Sequence, residues 1–225
     1  MTRTLTIFLL SFALLYLVSS SSFSQTEVPA GTGAVEPQPE VRGMKPTLDG
    51  FSLLMGVYSP LHDEMKGIYG GMFSLSGQYC LNMSRTIDIL GSIGLMKRSG
   101  NPYYDIPTFV SGQSSDIRII PLELSVRRRI AFMKSPTGFM TRGLYIGTGI
   151  NYLMVKEKIP GILDASGGDF GVQIFAGPQM FFTRNLAFDG EVKLFLNEVD
   201  MKHEDNRYSV TLSGLVIRAA LSWYY

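Results

Sequence analysis

The chain has 225 residues, 45% hydrophobic but only 17% charged, where a globular domain carries about a quarter charged residues. The net charge of +1 lacks the basic excess of a nucleic-acid binder, and a single cysteine rules out an intramolecular disulfide. Two histidines exclude a His-rich metal site. Gly91, Gly94, Gly147 and Gly149 lead into no helical period, which excludes a phosphate loop, so no cofactor is expected.

Residues 1–24 read as an export signal. Arg3 supplies the positive start, Leu5 to Val18 an apolar run, and Ser22 and Ser24 the small residues of a cleavage site before Gln25. The run is shorter than the roughly 20 residues of a spanning helix. Residues 25–46 carry Pro29, Pro37, Pro39 and Pro46 without an apolar period and read as a periplasmic linker. Residues 47–225 form the remaining domain.

That domain alternates with period two throughout and predicts eight strands. They run Leu48 to Ser59, Gly70 to Met83, Thr86 to Arg98, Asp116 to Phe132, Arg142 to Val155, Asp169 to Phe182, Leu186 to Asn197 and Arg207 to Tyr225. Alternation is cleanest in the second, where Phe73, Leu75, Tyr79 and Leu81 oppose Ser74, Ser76, Gln78, Cys80 and Asn82. It is weakest in the first and fifth. A tilted strand climbs roughly 2.5 Å per residue, so an apolar band about 25 Å tall needs around ten residues. Each segment supplies that length, whereas ordinary strands average about five or six.

The connections are long after odd strands (Pro60 to Tyr69, Ser99 to Ser115, Lys156 to Gly168, Glu198 to Asn206) and mostly short after even ones. Long outer loops and short periplasmic turns are the outer-membrane arrangement. The expected fold is therefore all-β: an eight-stranded antiparallel up-and-down transmembrane β-barrel. In that topology Phe51, Tyr79, Phe182, Trp223 and Tyr225 fall near the periplasmic rim, and Tyr58, Phe73, Tyr152 and Tyr208 near the outer rim. Trp223 and Tyr225 end the last strand.

The inward parity collects charge. Asp88, Glu123, Asp189 and Glu191 oppose Arg127, Arg129, Lys193 and Arg218. Eight strands enclose a lumen that side chains can fill, and balanced charge inside predicts an interlocking plug rather than a selective pore. A small-solute channel is the alternative. Cys80 shares this parity and reads as a small buried residue. In the outer loops His62, Asp63 and Glu64 would face His203, Glu204 and Asp205 if strands one and eight close the barrel. These types could hold a divalent cation. A lipid-modifying hydrolase is the second alternative, but neither histidine is tied by spacing to a serine, so no catalytic residue is expected. Tyr103, Tyr104 and Phe109 in the third-to-fourth connection are candidates for protein contact.

Three stretches carry a family resemblance: IRIIPLELSVRRRI (Ile117 to Ile130), GLYIGTGINYLM (Gly143 to Met154) and FGVQIFAGPQMFFTRNLAFDGEVKLFL (Phe170 to Leu196). They resemble strands of the small outer-membrane barrels of Bacteroidetes, the "porin family" or PorT-like group, itself similar in architecture to OmpA/OmpX-type barrels. The resemblance spans about Gly50 to Tyr225 and implies a Gram-negative outer-membrane protein. The expected partners are outer-membrane lipid or lipopolysaccharide and an envelope or extracellular protein, and the resemblance implies that the barrel-assembly machinery reads Trp223 and Tyr225 as its assembly signal. It implies no catalytic residues and no nucleic acid.

Overall fold

A computed structural model describes residues 49–225 apart from 85, 101–113, 135–140, 160–162, 184 and 204–205. The proposed signal and linker, Tyr103, Tyr104 and Phe109 therefore lie outside the described residues. The chain forms β1 (Gly50–Pro60), a short helix α1 (Asp63–Tyr69), β2 (Met72–Asn82), β3 (Ile87–Gly100), β4 (Ser115–Lys134), β5 (Thr141–Ile159), β6 (Leu163–Phe181), β7 (Leu186–Leu196), β8 (Glu198–His203), β9 (Asn206–Thr211) and β10 (Gly214–Tyr224). Every strand pairing is antiparallel. β1 pairs with both β2 and β10, and β5 with both β4 and β6, so the sheet closes on itself.

The ten strands make eight staves, because β8 continues β7 beside β6 and β9 continues into β10. The breaks are bridged locally. Leu212 N donates to Asn197 O at 3.0 Å, and Asn197 N donates to Ser213 Oγ at 3.2 Å. Parity survives both breaks: Phe195, Asn197 and Val199 all point inward, as do Leu212, Gly214 and Val216. The register shift between Arg129 and Ala131 falls at the lower end of β4, beyond its inward charges.

Over most of its height the barrel wears its apolar side outward. Phe51, Leu53, Met55 and Val57 of β1 are exposed, as are Ile217, Leu221 and Trp223 of β10. Among the described residues none covers them, so this belt excludes water only against another apolar phase. Inside at the same levels lie serines, glutamines and ions: Ser52, Ser76, Gln78, Glu123, Gln173 and Arg218.

Above this zone the polarity inverts. Ile117 and Ile119 are buried inside while Asp116 and Arg118 face out; Val155 is buried while Lys156 and Lys158 face out; Val199 and Met201 are buried while Asp200 and Lys202 face out. This upper wall follows the rule of a water-soluble sheet, apolar in and polar out. Its interior is one cluster, to which α1 contributes Met65 and Tyr69 as a cap and the strands contribute Tyr58, Met72, Met96, Leu153 and Phe195.

Two expectations are corrected here. Lys156 to Gly168 and Glu198 to Asn206 are strand over most of their length, because their inward residues have an apolar interior to cover. Tyr58 is not on the outer rim: it is 2% exposed, inside, and donates from its hydroxyl to Leu212 O at 2.7 Å. Tyr208 is likewise packed against the inner cluster.

The lumen charge network as candidate functional site

The eight inward charges are all buried, between 0% and 7% exposed. Strand parity puts them inside, and register decides which meet. Arg218 is the cross-strand partner of Glu191, and Asp88 that of Arg127. Gly56 makes room for the first pair: a Cβ there would lie 2.5 Å from Arg218 Cβ.

Two clusters result. In the first, Arg127 grips Asp88 Oδ2 with Nε at 2.9 Å and Nη2 at 2.8 Å, and Arg129 Nη2 lies 3.0 Å from the same oxygen. Arg127 Nη2 also reaches Cys80 Sγ at 3.5 Å, and its guanidinium lies 5.1 Å from the Tyr145 ring centre. In the second, Glu123 Oε2 accepts from Lys193 Nζ at 2.6 Å, from Ser92 Oγ at 2.7 Å and from Arg218 Nη2 at 3.4 Å. Arg218 Nε donates to Glu191 Oε1 at 2.7 Å, with Lys193 Nζ 3.5 Å from that oxygen.

This second cluster crosses the lumen. Going round the sheet, β4 and β10 are separated by β3, β2 and β1, so they are opposite staves. Glu123 and Arg218 therefore meet across the full diameter. Lys193 is sandwiched below 6 Å from the ring centres of Phe175 (5.2 Å) and Phe195 (5.5 Å). Shorter spans fill the remainder: Gln173 Nε2 donates to Ser125 Oγ at 2.7 Å, and Asn197 Nδ2 to Asn151 Oδ1 at 2.6 Å. Below, Cys80, Leu90, Tyr145, Phe175, Ala187 and Tyr224 form a second apolar cluster.

Asp189 is the exception. It accepts from the Ser222 hydroxyl but is in no ion pair among the described residues, and its Oδ1 has no hydrogen-bond partner there. Glu123 Oε1, Gln173 Oε1 and Gln179 Oε1 are similarly unpartnered among the described residues.

The other expected sites are less gathered. His62 and Asp63 are exposed at the start of α1, where His62 provides no side-chain cap. The backbone of His203 ends β8, while the side chains of Glu64 and His203, and Glu204 and Asp205 altogether, lie outside what is described. Among the described residues no three His, Cys, Asp or Glu come together as metal ligands. Trp223 and Tyr225 point outward, 57% and 60% exposed. The sequence reading overlooked Glu157, buried on the upper wall, which accepts from the hydroxyls of Tyr69, Ser115 and Tyr208. Its signal was its place two residues after the inward Val155, on the same parity.

No family model matches the sequence, and no curated protein matches it. Solved structures match the fold. Neisserial surface protein A is 12% identical over 79% of this chain and 96% of its own, with a TM-score of 0.53. The outer membrane protein OprG of Pseudomonas aeruginosa is 11% identical over 80% and 96%, with a TM-score of 0.54. The outer membrane protein AlkL, solved in DMPC bilayers, is 12% identical over 88% and 95%, with a TM-score of 0.50. What is shared at such identities is the fold, and it is that of the small eight-stranded outer-membrane β-barrels.

Proposed function

We propose that the protein is an integral outer-membrane barrel whose lumen is closed by its own side chains, and that it works as a stable anchor for surface contacts rather than as a conduit. The observation that carries the reading is the inversion of polarity along single strands. In β4, Leu122 and Leu124 face out below, while Asp116 and Arg118 face out above. An apolar phase below and water above account for both halves.

The closed lumen is supported by two layers of different chemistry. Ion pairs reach across the middle, and above them Tyr58, Met96, Ile119, Leu153, Phe195 and Leu212 converge around a void of only about 10 Å³, about the least that holds one water. A small-solute path is the second reading, favoured by the unpartnered Asp189 Oδ1 and Glu123 Oε1. A solute on that path would still have to pass the apolar layer above.

In this reading residues 1–24 direct export, and Trp223 and Tyr225 serve the barrel-assembly machinery. Membership of the PorT-like group of Bacteroidetes is part of the same proposal, supported by the resemblance of Ile117 to Ile130. The membrane placement is tested by cell fractionation with heat-modifiable gel mobility. The reading expects a membrane-bound band that shifts on boiling; recovery in the soluble periplasm contradicts it.

A further inference from the structure

The outward face of β2 to β5 carries two features that the closed lumen does not explain. The first is a row of cations. Lys97 pairs in register with Arg118, and Arg118 with Lys156, all three exposed. Like charges directly opposite each other destabilise a sheet, and none of the three has an ion-pair partner among the described residues. The row above mixes signs, with Asp116 opposite Lys158, and therefore does not extend the patch.

The second feature is an open apolar groove of about 800 Å³ lower on the same wall. Two outward rows line it. One runs Phe51, Tyr79, Gly91, Leu124; the other runs Gly77, Ile93, Leu122, Tyr152. Its floor is where side chains are missing. At Gly91 an added Cβ would meet nothing within 4 Å, and at Gly77 the nearest atom would be Phe51 Cζ at 3.4 Å. Among the described residues no atom would obstruct a Cβ at Gly91, so the space there is open to a group from outside the chain.

Lys97 stands four residues along β3 from Ile93, roughly 13 Å along the strand and about 10 Å along the barrel axis at a tilt near 40°. A lipid headgroup and the start of its acyl chain are separated by a distance of that order, given a polar zone of roughly 5–8 Å on each side of the hydrocarbon core. Three strands spaced about 4.8 Å apart make the cationic row about 10 Å wide, which suits a headgroup with more than one phosphate.

We propose that the β2–β5 wall holds one multiply phosphorylated lipid of the outer leaflet, its headgroup on Lys97, Arg118 and Lys156 and an acyl chain in the groove over Gly77 and Gly91. The inference rests on the membrane placement above. The test is native mass spectrometry of the full chain released from detergent, titrated with bis-phosphorylated lipid A and, separately, with inorganic pyrophosphate.

One lipid A should be retained per chain. The combined variant Lys97→Gln, Arg118→Gln, Lys156→Gln should weaken retention about 100-fold, at about fivefold per charge. Gly91→Leu, whose Cβ has no neighbour within 4 Å, should weaken the lipid about tenfold and leave pyrophosphate unaffected. Unchanged lipid affinity in both variants, or pyrophosphate bound as tightly as the lipid, overturns the site. Heat-modifiable mobility of each variant reports its folding. A membrane-bound wild type indifferent to both changes refutes the lipid site alone, whereas a soluble wild type refutes the placement beneath it.

Discussion

Arg218 and Glu191 face each other across the β7–β10 ladder, joined by a 2.7 Å bond from Nε to Oε1, and the other edge of the same guanidinium reaches Glu123 on the far side of the barrel. One side chain thus ties a neighbouring stave to the opposite one. Removing it leaves two buried carboxylates sharing Lys193.

Arg218→Leu should therefore cost about 3–5 kcal/mol of stability, the usual range for orphaning one partner of a buried pair. Urea unfolding of the refolded barrel measures it. Adding Glu191→Leu should recover part of the loss, since one of the stranded carboxylates is gone; a double variant weaker than the single would contradict the pairing.

The cap predicts a separate behaviour. α1 is held by burial of Met65 and Tyr69 and by the Tyr69 hydroxyl, which bonds Glu157 and lies 2.5 Å from Ser115 Oγ. Tyr69→Ala should release this segment without opening the barrel below. Limited proteolysis near residues 61–70 should speed up roughly tenfold, as expected for loss of about 1.4 kcal/mol of local stability. Unchanged cleavage would mean that Tyr69 does not hold the cap.

At the lower rim the neighbouring aromatics divide the work. Tyr224 is buried; its hydroxyl accepts from Gln179 Nε2 at 2.8 Å, and its ring lies 5.5 Å from that of Phe181. Tyr224→Ala should lower stability in vitro by about 3–5 kcal/mol, as for other large aromatic truncations. Trp223→Ala and Tyr225→Ala should barely change it, yet the two combined, with Tyr224 kept, should reduce the folded barrel recovered from membranes. Equal unfolding midpoints for Tyr224→Ala and Trp223→Ala would contradict this division.

How legible was this in the sequence? The lower barrel was readable because one rule, apolar out and polar in, holds along β2 below Met72 and along most of β7. That rule also gathered the eight lumen charges, since parity alone puts Glu123, Arg127 and Arg129 on one side. The upper wall was misread because it obeys the opposite rule. In DIRIIPLELSV the apolar phase jumps between Ile119 and Ile120 while the strand continues without a bulge. Lys156, Lys158 and Asp200 look like loop residues to a reader expecting lipid outside, although Val155, Val199 and Met201 alternate with them. The seven-residue α1 is too short to show a helical period. Which ions meet across the lumen depends on stave order, which no local pattern encodes.

A lumen closed by ion pairs and an apolar layer together, as proposed, should not conduct. Planar-bilayer recording of purified, refolded full-length protein tests it most directly. A baseline without unitary steps is expected; reproducible unitary conductance steps from the wild-type chain would mean that the lumen is open.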